Sequence, residues 1–220
     1  MLQYLIRHGQ SLSNLAGRVQ GREDVELSAL GRAQALRVAM RLAAIDASAG
    51  GIAEIWSSPL VRARDTALPI ADRLGLGLQT LDTLCELHAG IFQGHLWADL
   101  ESRFPDEVAR WRSGDVDYAI PGGESRAQLA TRGAAALTAL AERPAAAVVV
   151  VAHGGVLTAA LGRLVGRAHP LLAAVAERPF TKLPALDNGS VTILSWPGPE
   201  LVSFNDTIHL ADLTEPQAGA

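Results

Sequence analysis

With 220 residues, 49% of them hydrophobic and 19% charged, the chain is long enough to bury one substantial core and too apolar to stay disordered. Its 19 basic against 23 acidic side chains give a formal charge of −4, which argues against a whole-surface attraction to nucleic acid or anionic lipid, so anion binding has to be local. Cys85 is the only cysteine, which excludes an intrachain disulfide and a cysteine pair for zinc and is compatible with a reducing compartment.

Leu2 to Ile6 reads as a short buried strand that ends abruptly at Arg7-His8-Gly9. Ser28 caps a helix to about Ile45, with Leu36, Met40 and Ala43 on one face. A second strand is expected over Ile52 to Trp56. Ser57-Ser58-Pro59 then opens a helix through Leu74, stopped by Gly75 and Gly77. From Leu81 to Gly123 the pattern is irregular. Helical pieces near Leu96 to Phe104 and Glu107 to Arg112 are separated by Pro105, and a Gly, Asp and Pro loop follows from Ser113. Ser125 caps a helix to about Glu142, Ala147 to Ala152 has the composition of a strand buried on both faces, and Gly154-Gly155 turns it into a helix to Leu164. Late strands are expected over Val191 to Trp196 and Leu201 to Phe204.

Strands alternating with helices imply an α/β three-layer sandwich with a largely parallel central sheet flanked by helices, plus a helical insertion over the active site. The whole chain, 1–220, reads as one domain, with 81–123 as the insertion or lid. The N-terminal apolar run is too short for a secretory or transmembrane segment, so a cytoplasmic protein without a membrane partner is expected.

In open α/β sheets ligands sit beyond the carboxyl ends of strands. Two strands here end alike, in Ile6-Arg7-His8-Gly9 and Ala152-His153-Gly154-Gly155, which places both histidines in one crevice. The glycines let backbone N–H groups approach a ligand, the following helix aims its positive end there, and Arg7 adds a fixed charge; together these make an anion site. All the basic side chains but Lys182 are arginines, most of them explained by composition.

The run Leu5-Ile6-Arg7-His8-Gly9-Gln10-Ser11 with Asn14 resembles the opening signature of the histidine phosphatase superfamily, in its phosphoglycerate mutase-like branch. The likeness continues through Gln20-Gly21-Arg22, Leu27-Ser28, Leu30-Gly31-Arg32-Ala33-Gln34-Ala35, Ser57-Ser58-Pro59-Leu60, Arg62-Ala63 and Thr66-Ala67. Further on it takes in Glu86 ahead of Gly90 and Gly94, Pro121-Gly122-Gly123-Glu124-Ser125, Val151-Ala152-His153-Gly154-Gly155 and Asn188-Gly189-Ser190. The resemblance implies that His8 is the nucleophile that becomes phosphorylated, that Arg7, Arg62 and His153 clasp the phosphoryl oxygens, that Asn14 and the Gly154 amide add hydrogen bonds, and that Glu86 acts as general acid and then base. Ser11, Gln20, Gly21 and Arg22 lie in loops expected to touch substrate. No metal and no cofactor is required, because the arginines and histidines neutralise the charge that a metal ion neutralises elsewhere.

The superfamily includes phosphatases and cofactor-dependent phosphoglycerate mutases. The mutases usually carry Glu-Arg-His-Tyr-Gly at the acid and an arginine pair in a longer insertion, whereas this chain has Glu86-Leu87-His88-Ala89-Gly90, no Arg-Arg pair, and Lys182 outside the insertion. These departures favour a phosphomonoesterase acting on a small phosphorylated metabolite through phosphohistidine. A mutase, or a noncatalytic phospholigand-binding module, is the alternative. Sugar phosphates, phosphoglycerate derivatives, a ribazole phosphate or a broad set of monoesters are the substrate candidates. Asp82 is a nearby substitute for the acid; Trp97, Phe104 and Trp111 read mainly as the insertion's own core; His88 and His95 read as structural; Arg64 reads as solvated; and Arg103, Arg112 and Arg126 are weak site candidates. A homodimer is common in the family, yet no strand or helix here announces an interface.

Overall fold

The computed structural model describes residues 1–49, 51–174 and 185–213, so Lys182 lies outside the described residues. Its middle layer is a sheet of β1 (Leu2–Arg7), β2 (Ile52–Ser57), β3 (Leu78–Thr80), β4 (Ala147–Ala152), β5 (Val191–Ser195) and β6 (Glu200–Asp206), in the spatial order β3-β2-β4-β1-β5-β6. β3, β2, β4 and β1 run parallel, and β5 is antiparallel to both β1 and β6, so the sheet is mixed, with a parallel half and an antiparallel edge. β3 is only three residues long and carries no strong sequence signal of its own.

Side chains alternate across a strand, and β1 and β4 use both faces. Leu5, Val148, Val150 and Ala152 join one core with α6 (Arg126–Ala141), α7 (Gly154–Leu164) and α8 (Pro170–Ala173). Tyr4, Ile6, Val149 and Val151 join the other with α2 (Ala29–Ala49) and α3 (Val61–Leu74). Every residue of β4 is buried, as its continuous apolar run requires.

The expected buried face of α2 is corrected. Leu36 and Met40 are 58% and 50% exposed, and Gly31, Ala35, Val38, Ala39 and Leu42 face the sheet instead. Positions 31, 35, 38, 39 and 42 share one helical face, anchored by Val38 and Leu42, both 0% exposed, and the face carrying Leu36 and Met40 is the outer one. α2 also runs on to Ala49, past Ile45. α3 starts at Val61, two residues after Pro59, and Gly75 ends it in the left-handed conformation (φ 66°).

A third core belongs to the region above the sheet. It gathers Ala89, Phe92, Leu100, Val108, Trp111, Tyr118 and Ile120, together with Val19 from the loop that follows α1 (Leu12–Leu15). α4 (Leu100–Arg103) and α5 (Pro105–Arg112) lie here, and Pro105 occupies the first turn of α5, where its missing N–H costs nothing. Phe104 packs at the edge of this core, while Trp97 is 38% exposed. Among the described residues no helix is long and apolar enough to cross a membrane.

Candidate active site

Adjacent parallel strands place their last residues side by side. β1 pairs with β4 in a register that sets Arg7 opposite Ala152, so the next residue of each chain segment, His8 and His153, emerge together at the carboxyl edge of the sheet. Their rings lie 5.0 Å apart, edge to face, at 61°. The helices that follow the two strands pack on opposite faces of the sheet, α2 on one and α7 on the other, and this divergence opens a crevice between them.

His8 is 3% exposed and held along its backbone: its N–H donates to the Ala152 carbonyl (3.0 Å), and its carbonyl accepts from Asn188 Nδ2 (2.9 Å). The ring Nδ1 lies 2.7 Å from the Gly9 carbonyl, which can only accept, so Nδ1 carries a hydrogen and the neutral ring has its lone pair at Nε2. Gly9 in turn donates to Thr66 Oγ1 (3.0 Å), tying the loop to α3. A Cβ on Gly9 would stand 2.3 Å from the Gly31 carbonyl oxygen, so only glycine lets this loop meet the start of α2.

Arg62, the second residue of α3, is 1% exposed. Its two terminal nitrogens donate to the Glu23 and Gly21 carbonyls (2.7 and 2.8 Å), and its Nε is buried without a hydrogen-bond partner among the described residues. Burial pushes the Arg62 pKa down, against the attraction of Glu86 and Asp24. Arg7 donates to the Leu186 carbonyl from the far side of the site. His153 Nε2 sits 2.8 Å from Ser58 Oγ, and its Nδ1 is buried without a hydrogen-bond partner among the described residues. Complete burial holds the His153 imidazole well below its ordinary range, and Arg62, His8 and Arg7 push it the same way. His153 is therefore neutral at pH 7.

The Glu86 carboxylate closes the site from above. It accepts from the backbone N–H groups of Gly155 (2.9 Å) and Val156 (3.0 Å) in the first turn of α7, and of Leu87 (2.8 Å). A Cβ on Gly155 would fall 2.4 Å from Glu86 Oε1, so the second glycine of the His-Gly-Gly run makes room for this carboxylate. Glu86 is in turn fixed by Arg132 of α6, which donates to the carbonyls of Thr83 (2.9 Å), Cys85 (2.6 Å) and Glu86 (2.9 Å) and pairs with Glu124 (2.6 Å). Asp82 is exposed and does not line the cavity, which separates it from Glu86.

The cavity holds about 110 Å³ and is lined by Arg7, His8, Asn14, Gln20, Gly21, Arg62, Glu86 and Gly154, with Val19, Leu87, Trp97, Trp111, Arg126 and Leu129 above them. Asn14 uses its Oδ1 to accept from Ser11 and Asn188 (3.2 and 3.1 Å), which leaves the amide nitrogen as the half that these bonds do not occupy. Two of the expected contact residues lie elsewhere. Ser11 is fully buried as the N-cap of α1, and Arg22 sits on the outer side of the acid loop, 3.5 Å from Glu124. Of the arginines read as weak candidates, Arg103 and Arg112 are exposed in ion pairs with Asp99 and Glu101, whereas Arg126 reaches the cavity. The bonding roles of Ser58, Thr66, Asn188 and Arg132 carry no mark in the sequence, since short polar residues and helix arginines give no local sign of what they will face. Among the described residues no three His, Cys, Asp or Glu side chains cluster as metal ligands.

A family model described as the histidine phosphatase superfamily (branch 1) matches residues 3–207. The chain is 36% identical over 201 residues to a glucosyl-3-phosphoglycerate phosphatase of Mycobacterium tuberculosis, covering 87% of this chain and 82% of that one. It is 39% identical over 184 residues to a probable phosphoglycerate mutase, GpmB, of Yersinia pestis, covering 81% and 79%. Among solved structures it resembles mycobacterial glucosyl-3-phosphoglycerate phosphatase in complex with VO3, with a TM-score of 0.76, 32% identity, and 94% and 99% of the two chains covered.

Proposed function

This chain belongs to the histidine phosphatase superfamily, branch 1, and we propose that it hydrolyses small phosphate monoesters with His8 as the nucleophile. The observation that carries this reading is the His8 ring, whose Nδ1 hydrogen is committed to the Gly9 carbonyl so that Nε2 is the atom able to attack. Around it stand Arg7 and Arg62 as fixed cations and two buried polar atoms, Arg62 Nε and His153 Nδ1, whose missing hydrogen bonds a phosphoryl oxygen would supply. His153 Nε2 shares a hydrogen bond with Ser58 Oγ, and in the tautomer with its hydrogen on Nδ1 the imidazole offers that hydrogen to phosphate.

His8 Nε2 attacks phosphorus in line while the ester oxygen leaves, and the spreading negative charge falls on Arg7, Arg62, His153, Asn14 and the Gly154 amide. Glu86, the one carboxyl lining the cavity among the described residues, delivers a proton to the departing alkoxide. The alcohol leaves, water takes its place, and Glu86 removes a proton from it as it attacks the phosphohistidine. Phosphate is released, and the His8 lone pair and the Glu86 proton are restored. Gln20 and Gly21 line the same cavity, which supports a place for them beside the ester group.

The test is phosphate release across a panel of monoesters, with mass detection of a phosphoryl adduct on the peptide that contains His8. His8→Ala is expected to lose roughly 10³-fold or more in kcat and to form no adduct. Full turnover in that variant overturns the assignment. The likeness to a probable phosphoglycerate mutase makes one control necessary: bisphosphoglycerate-dependent interconversion of phosphoglycerates should be slower than phosphate release.

A further inference from the structure

The run Pro121-Gly122-Gly123-Glu124-Ser125 stands out in the sequence, yet its residues do not line the cavity. They pack instead on the loop that carries Glu86. The Ile91 N–H donates to the Pro121 carbonyl (3.0 Å), and the Glu124 N–H donates to the His88 carbonyl (2.9 Å). Gly90 and Gly123 make this approach possible, since a Cβ on the first would stand 2.1 Å from the Pro121 carbonyl oxygen and a Cβ on the second 2.2 Å from that of His88.

The contact delivers the Glu124 carboxylate to the outer side of the acid loop. Its Oε1 accepts from the His88 N–H (2.8 Å), so Glu124 bonds both main-chain groups of a residue two positions after Glu86. On the other side of Glu86, one terminal nitrogen of Arg132 donates to the Thr83 and Cys85 carbonyls (2.9 and 2.6 Å). The second donates to the Glu86 carbonyl (2.9 Å) and to Glu124 Oε1 (2.6 Å), and Nε donates to Glu124 Oε2 (3.0 Å). Every N–H of the guanidinium is thereby used, and the ion pair joins the two holds on the loop into one. With the side chains of Arg132 and Glu124 only 17% and 12% exposed, solvent screens the pair little. The same helix fixes the other end of the acid. Gly133 follows Arg132 in α6, and a Cβ there would stand 2.9 Å from Val156 Cγ2, so α6 lies tightly against the turn of α7 whose N–H groups receive the Glu86 carboxylate.

We propose that Glu124 and Arg132 are positioning residues for the general acid: as a pair they lock the main chain on either side of Glu86 and so hold its carboxyl group at the leaving-group oxygen. The inference rests on the reading of Glu86 as that acid. Neither side chain lines the cavity, so their influence on the reaction passes through Glu86.

Single-turnover phosphorylation of His8 tests it with an alkyl phosphate, whose alcohol needs a proton to leave, and with p-nitrophenyl phosphate, whose alcohol does not. Arg132→Gln is expected to slow the reaction of the alkyl ester roughly 10- to 100-fold and that of the nitrophenyl ester by less than about threefold. Added to Glu86→Gln, the same substitution should cost less than about threefold on either ester, because no acid is left to position. Glu124→Gln, which keeps the size of the side chain and one acceptor oxygen, should slow the alkyl ester by roughly three- to tenfold with the nitrophenyl ester unchanged, and it carries the test if Arg132→Gln does not fold. Equal losses on both esters, no loss in the folded variants, or a full further loss in the Glu86→Gln background overturns the positioning role and leaves the phosphatase reading standing. An alkyl ester that reacts at the wild-type rate in Glu86→Gln overturns the acid assignment and the positioning role with it. A wild type that forms no phosphohistidine from either ester overturns the phosphatase reading itself.

Discussion

At the scale of single residues, the site depends on which atom of each side chain is already committed. His8 spends Nδ1 on a carbonyl, Asn14 spends Oδ1 on two donors, and Glu86 accepts three backbone N–H groups. With those atoms committed, Nε2 of His8 keeps the lone pair, and the amide nitrogen of Asn14 the hydrogens, whose polarity a phosphoryl group needs. The leaving group tests the proposed acid. In single-turnover experiments Glu86→Gln should slow phosphorylation of His8 by an alkyl phosphate roughly 10²- to 10⁴-fold. With p-nitrophenyl phosphate the loss should be much smaller, because that alcohol departs without a proton. Equal losses on both substrates would remove Glu86 from the acid role.

At the scale of elements, glycine decides how closely the pieces meet. Gly9 and Gly31 let the loop after β1 cross the first turn of α2, where a Cβ on Gly31 would stand 1.9 Å from the Gln10 carbonyl oxygen. Gly155 lets the acid loop reach the first turn of α7, since a Cβ there would lie 3.0 Å from Glu86 Cδ. Gly155→Ala must therefore move the carboxyl group, and the displacement is expected to lower kcat on alkyl phosphates by roughly 10²-fold. The obstruction is the end of a flexible side chain rather than backbone, so the melting temperature should change little. Unchanged kcat would show that Glu86 tolerates the shift. The motif Ala152-His153-Gly154-Gly155 was legible in sequence as an anion site, but the use of its second glycine appears only when Glu86 arrives from a segment about 70 residues away.

At the scale of the whole molecule, the site ties its chemistry to the stability of the fold. Folded His153 is held well below the ordinary imidazole pKa of about 6.5, with burial the main cause. Below that pH the unfolded chain accepts a proton that the folded chain refuses, so this contribution favours unfolding increasingly as pH falls, and it is flat above. His209, lowered by burial and by Arg41, acts with the same sign. Thermal denaturation should show a melting temperature that drops between pH 7 and pH 5, with a shallower drop in His153→Gln. Parallel profiles for the two proteins would exclude His153 as a source of the acid sensitivity.

The sequence by itself determined the alternation of strands and helices, the doubly buried β4, the two His-Gly strand ends, and the order of motifs that marks the superfamily. These are local properties, set by hydrophobic period, by turn residues and by short runs of fixed chemistry. Only the tertiary structure decided that Leu36 and Met40 face outward while Ala35, Val38, Ala39 and Leu42 pack inward, that β5 and β6 form an antiparallel edge, and that Ser11 caps α1. It also separated Glu86 from Asp82, and Arg126 from Arg103 and Arg112. In each case the candidates are alike in type and neighbourhood along the chain. What distinguishes them is burial and the partner brought against them, and both depend on how distant segments pack.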